Sequence, residues 1–190
     1  MTKKKILIAT GGTGGHIFPA LSLAKNLIKK NYDIILTTDK RGLKYLSDIN
    51  EINLKKITSS PLVKKNIFRL IYSALLICYS TVKSLFLLSL NRPNIIIGMG
   101  GYSSFPVCIA ATILRIKFII YENNLIIGKA NKLLLPFAKK IFVSYQDLEG
   151  IPIKYKNKVV TIGNLVREEI IRNRDTSDKK KDELDNLKIL

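Results

Sequence analysis

Short apolar runs alternate along this chain with longer segments of helical period. Ile6-Leu7-Ile8-Ala9, Ile34-Ile35-Leu36 and Ile95-Ile96-Ile97 are brief and rich in branched side chains, the signature of strands buried on both faces. They predict strands near residues 5–10, 33–38, 53–58, 94–98, 117–121, 140–144 and 158–162. Between and after them, apolar positions at three- and four-residue spacing predict helices near 17–30, 41–49, 63–90, 104–115, 127–137 and 166–173. Such alternation calls for crossover connections, so the fold class is α/β: a Rossmann-like parallel sheet with helices on both faces. Ligands of such sheets collect beyond the carboxyl ends of the strands. Three segments of unusual composition fall there, at 11–16 after the first strand, 98–104 after the fourth and 122–124 after the fifth.

The first of these, Gly11-Gly12-Thr13-Gly14-Gly15-His16, joins a strand to a helix. Its four glycines let backbone approach a ligand closely, and the following helix offers N–H groups and a dipole that favour an anion, a phosphate or diphosphate. A dinucleotide fingerprint would need glycine where Ile17 stands, and a Walker loop would need Gly-Lys-Ser/Thr at 15–17; neither fits. His16, the sole histidine, brings a group of ordinary pKa near 6.5 to the anion, as a base or a hydrogen-bond partner. Glu122 and Asn124 are placed either to orient a hydroxyl-bearing ligand or to cap the helix near 127. Asp39 follows the second strand, where a nicotinamide enzyme binds ribose; without the glycine spacing it reads better as an N-cap. Arg167, in Gly163-Asn164-Leu165-Val166-Arg167, is positioned to pair with a phosphate or to sit on the surface of a helix's first turn.

The segment Ile67 to Leu90 is the most apolar, but Arg69 and Lys83 leave an uncharged window of 13 residues between them. A spanning helix requires roughly 20, so this one is expected not to cross a membrane. On a helical wheel Asn66, Arg69, Ser73, Ser80, Lys83 and Ser84 share one stripe, leaving more apolar surface than one sheet face needs. Rimmed by Lys64, Lys65, Arg69 and Lys83, that surplus suits either an anionic bilayer interface or a second contact within the domain.

The chain has 190 residues and 47% hydrophobic content with a mean hydropathy of +0.14, enough for one substantial core. Its net charge of +18 calls for an acidic partner or surface, or reflects an Ile-, Lys- and Asn-rich composition. Cys78 and Cys108 both sit in apolar helical patterns and read as buried free thiols of a reducing compartment. Five residues between Lys5 and the first glycine are too few for a secretory signal. Residues 173–186 are charged and aperiodic, as expected of an interdomain linker, and Leu187-Lys188-Ile189-Leu190 resembles the opening of a further sheet. The domain plan is therefore 1–172 as one unit, 173–186 as linker and 187–190 as the start of a second domain, which the resemblance described next implies is donor-binding.

GGTGGH at 11–16, GMGGYSSFP at 98–106, YENNLIIGKANKLL at 121–134 and GNLVREE at 163–169 together resemble, in order and spacing, the MurG-type glycosyltransferases of peptidoglycan synthesis. The resemblance covers residues 4–172. It implies the amino-terminal, acceptor-binding half of a GT-B fold. It also implies inverting transfer of N-acetylglucosamine from UDP-N-acetylglucosamine to the C4 hydroxyl of undecaprenyl-diphospho-N-acetylmuramoyl-pentapeptide, with no cofactor or metal. The enzyme would act peripherally at the cytoplasmic face of the cell membrane, on an anionic surface, beside other cell-wall synthesis proteins and without nucleic acid. By the same resemblance Thr13, Gly14, Gly15, Asn124 and Arg167 contact the sugar nucleotide, and Gly12, Gly100, Gly101 and Tyr102 hold the acceptor diphosphate. His16 assists deprotonation, with Glu122 in support. Two departures stand out: Tyr121 and Asn123 replace His and Gln of a His-Glu-Gln-Asn pattern, and Leu165 replaces proline, which is expected to loosen the turn before Arg167. The alternatives are a nucleotide-binding oxidoreductase and a non-catalytic module that binds a membrane surface or the acceptor.

Overall fold

The computed structural model describes residues 3–46, 52–58 and 67–165. The expected helix at 166–173, Arg167, the linker, residues 187–190 and Lys64, Lys65 and Asn66 lie outside them. Seven parallel strands run in the order β3 (Asn53–Lys56), β2 (Asp33–Thr38), β1 (Lys5–Ala9), β4 (Ile95–Gly98), β5 (Phe118–Glu122), β6 (Lys140–Val143) and β7 (Val159–Thr161). The chain works outward from β1 to β3 and then returns to β4 on the other side of β1. The switch point therefore lies between β1 and β4, where such sheets open a crevice at their carboxyl ends.

Alternation along the strands sends side chains to two cores. Leu7, Ala9, Ile96 and Ile120 face one layer, closed by α3 (Ile67–Asn91), α4 (Ser104–Ile113) and α5 (Lys129–Leu134). Ile6, Ile8, Ile34 and Leu36 face the other, under α1 (Gly14–Lys29), whose Ile17, Ala20 and Ala24 are buried. α1 begins three residues before the expected start, because Thr13 is its N-cap and Gly14, Gly15 and His16 form its first turn. α2 is only Lys40–Leu43. Asp39 caps it, taking Arg41 N and Gly42 N on Oδ1 and the Arg41 guanidinium on Oδ2 at 2.7 Å.

α3 is inverted relative to an ordinary amphipathic helix. Its buried edge is Ser73, Ser80, Ser84 and Leu88, and the three small serines let the helix lie close against the domain. Ser80 donates to Thr58 O and Ser84 to Ser80 O, which satisfies both hydroxyls. Phe68, Tyr72, Leu75, Tyr79, Phe86 and Leu90 turn outward, with Phe68 78% and Leu90 84% exposed. Cys78 is exposed on this helix, contrary to its expected burial, whereas Cys108 is buried and its thiol is pushed up to about 12 by desolvation. With 25 residues and an 18-residue stretch of mean hydropathy 1.6, α3 is by length and composition sufficient to cross a bilayer. The short uncharged window gave the opposite expectation.

Candidate active site at the switch point

The turns after β1 and β4 meet backbone to backbone. A Cβ built on Gly101 would lie 2.5 Å from Gly11 Cα, and one built on Gly11 would lie 2.8 Å from Gly101 Cα, so both positions demand glycine. Gly100 and Gly101 also hold φ near +80°, where side chains are strained. Met99 N donates to Ala9 O and the buried Ser103 hydroxyl to Thr10 O, both at 2.7 Å, which clamps the second turn on the first.

His16 sits against this junction. Its Nδ1 is 2.7 Å from Thr13 Oγ1, and its Nε2 is 3.0 Å from where a Cβ of Gly100 would stand. Burial pushes the imidazole below its usual range, opposed in part by the charge of Glu122, so the ring is biased toward its neutral form. In the tautomer that carries its proton on Nδ1 and donates it to Thr13 Oγ1, the Nε2 lone pair faces the second turn.

Glu122, 2% exposed at the end of β5, has both oxygens filled by its own loop. Oε1 accepts from Asn124 N and from Asn124 Nδ2, and Oε2 accepts from Gly128 N at 2.8 Å and Asn131 Nδ2 at 3.0 Å. The carboxylate therefore shapes the 122–131 loop and anchors the start of α5, the capping alternative; it leaves Asn124's amide oxygen for other partners. His16, Gly100, Gly101, Tyr102, Glu122 and Asn124 line one cavity of about 170 Å³, joined by Lys129 and Asn131. Of the other expected residues, Thr13 reaches the site through its bond to His16. Gly14 packs near Phe18. Gly12 faces Asp39, whose Oδ1 is 2.0 Å from the site of a Gly12 Cβ, and does not line the cavity.

Two contributors escape a reading of motifs. Pro19, inside α1, has no N–H for the carbonyl four residues back, Gly15 O, and Asn123 Nδ2 donates to that oxygen instead at 2.8 Å. Asn123 thereby ties the fifth-strand loop to the first turn of α1. A proline four residues beyond a glycine turn was the available signal. Asn131 is the second; it is buried and bridges Tyr121 O and Glu122 through its amide nitrogen. An asparagine on a helix otherwise reads as surface.

Residues 6–143 match the glycosyltransferase family 28 N-terminal domain. The chain belongs to that family. It is 38% identical over 172 residues to the UDP-N-acetylglucosamine--N-acetylmuramyl-(pentapeptide) pyrophosphoryl-undecaprenol N-acetylglucosamine transferase of Pelagibacter ubique, covering 90% of this chain and 48% of the relative. The enzyme of the same name from Rickettsia felis is also 38% identical over 172 residues, covering 88% and 45%. The crystal structure of Acinetobacter baumannii MurG superposes with a TM-score of 0.71 at 25% identity, covering 86% of this chain and 46% of that one. The family 28 chain thus has the Rossmann-like amino-terminal fold of a GT-B transferase, and it spans about half the length of the relatives it matches.

Proposed function

We propose that this domain receives the lipid-linked acceptor in a MurG-type transferase. The whole enzyme moves N-acetylglucosamine from UDP-N-acetylglucosamine to the C4 hydroxyl of undecaprenyl-diphospho-N-acetylmuramoyl-pentapeptide. The observation that carries this is the contact between the two glycine turns around His16, in a family 28 chain. The turns at Gly12 and at Gly100, Gly101 and Tyr102 hold the acceptor diphosphate through backbone N–H groups. His16, kept neutral by burial and carrying its one proton on Nδ1 toward Thr13 Oγ1, takes the proton from the attacking hydroxyl at Nε2. Thr13, Gly14, Gly15, Asn124 and Arg167 serve the sugar nucleotide, whose diphosphate gains charge as it leaves and is stabilised by fixed donors.

The outward apolar face of α3, flanked by Arg69 and Lys83, supports a seat for the domain on an anionic membrane surface, in this reading the cytoplasmic one where its acceptor lies. Because the serine edge of α3 is packed inside the domain, the helix lies along the interface and does not cross it. Vesicle flotation tests the reading. The chain should float with anionic vesicles containing the undecaprenyl-linked acceptor several-fold better than with vesicles lacking it, and Gly100→Ala should abolish that difference. Equal flotation in both would leave only a membrane-surface module.

A further inference from the structure

The charged side chains that line the cavity beside His16 are Glu122 and Lys129. Glu122 is committed to its own loop: four N–H donors fill its two oxygens, so it meets an incoming anion with negative charge and no donor. His16, biased toward its neutral form by burial, adds no countercharge. The glycine turns contribute peptide dipoles but no net charge. Among the described residues, Lys129 is the one lysine or arginine that lines this cavity.

Its place there is fixed by the same carboxylate. Lys129 opens α5 directly after Gly128, whose N donates to Glu122 Oε2 at 2.8 Å; Asn131 Nδ2 donates to that oxygen at 3.0 Å, and Lys132 N closes the turn on Gly128 O at 2.8 Å. The backbone on both sides of residue 129 is therefore pinned to the end of β5. Lys129 itself is exposed, and among the described residues it makes no ion pair. An ammonium so placed offers three donors and no acceptor, which suits an anion. A single phosphate can be met by the backbone N–H groups of the turns alone. A second one adds negative charge to a cavity that already contains Glu122, and a cation is needed to offset it. We propose that Lys129 supplies the countercharge for a diphosphate seated against Gly100, Gly101 and Tyr102, so that the cavity selects a diphosphate over a monophosphate. Assigning that diphosphate to the lipid-linked acceptor rests on the function proposed above; its recognition by Lys129 does not.

Calorimetry on the whole 190-residue chain and on Lys129→Met and Lys129→Arg tests this. The ligands are inorganic pyrophosphate and phosphate, UDP, and a soluble, short-chain diphospho-N-acetylmuramoyl acceptor with its monophosphate counterpart. A hydrogen bond to a charged partner changes affinity by about ten- to a hundredfold. Lys129→Met should weaken pyrophosphate by that factor and the monophosphate ligands little, with an unchanged urea midpoint, and Lys129→Arg should restore most of the loss. Added salt should weaken pyrophosphate binding more in the parent than in Lys129→Met, because it screens the ammonium. If the diphospho acceptor weakens in Lys129→Met and UDP does not, the seat belongs to the acceptor. If UDP weakens instead, Lys129 keeps its role and the acceptor reading of this cavity falls. Pyrophosphate affinity equal in Lys129→Met and the parent, or equal losses for phosphate and pyrophosphate, would overturn the proposal. A parent chain that binds no diphosphate ligand at all overturns it together with the acceptor reading.

Discussion

Removing the Asn123 amide should unlatch the first turn of α1, and Pro19 makes the effect measurable in isolation. In Asn123→Ala the Gly15 carbonyl loses its 2.8 Å donor, and Pro19 supplies none. The bond lies at a part-exposed site, so water replaces some of it and the loss is about 1 kcal/mol. For a domain of this size that is roughly 2–4 °C in Tm. In a Pro19→Ala background the new backbone N–H at residue 19 can donate to Gly15 O as in an ordinary helix, so Asn123→Ala should cost little. Urea denaturation of the parent, both single variants and the double variant forms a cycle with an expected coupling near 1 kcal/mol. Additivity within about 0.3 kcal/mol would refute the claim that Asn123 substitutes for the missing helix bond. The same single variant should weaken flotation with acceptor-bearing vesicles, since His16 sits in the turn that Asn123 holds.

Gly101→Ala should destabilise by roughly 2–5 kcal/mol, combining a left-handed φ with a Cβ driven into Gly11, as read by denaturant midpoint. His16 is held neutral by burial, so its folded pKa lies below the unfolded value. Its contribution to stability is fully present above pH 6.5 and is lost as pH falls from there through the folded pKa, because the unfolded chain takes the proton first. His16→Gln should flatten that part of the stability profile between pH 7.5 and 5. Phe86→Ser removes about 1.5–3 kcal/mol of apolar burial at a bilayer, so partition to anionic vesicles should fall tenfold or more with unchanged Tm. An unaltered partition would exclude the outward face of α3 as the contact.

Periodicity located the seven described strands within a residue or two; the inner ones are continuous apolar runs that polar loops interrupt cleanly, whereas the edge strand β3 is mostly exposed. The gathering of the glycine turns at one end of the sheet followed from parallel topology alone. Helix ends were less legible. The glycines at 14 and 15 read as loop although Thr13 caps a helix that includes them, and the α5 segment is trimmed to Lys129–Leu134 between Gly128 and Pro136. The wheel of α3 showed a narrow polar stripe but not its direction. Small serines, once their hydroxyls are bonded to nearby carbonyls, pack more closely than large apolar side chains, and they became the buried edge. In the site, His16, Glu122 and Asn124 were visible as lone chemistry at strand ends. Asn123 and Asn131 were not, since each depends on which groups the fold brings together in three dimensions.

In the function proposed above, two touching glycine turns grip a lipid-linked diphosphate beside His16. A crystal structure of this chain with a soluble, short-chain diphospho-N-acetylmuramoyl acceptor tests that grip. The diphosphate should lie against the N–H groups of residues 11–15 and 100–102, with the sugar hydroxyl within hydrogen-bonding reach of His16 Nε2. Acceptor bound elsewhere on the domain, with the cavity lined by His16, Gly100, Gly101 and Tyr102 left unfilled at saturation, would contradict it.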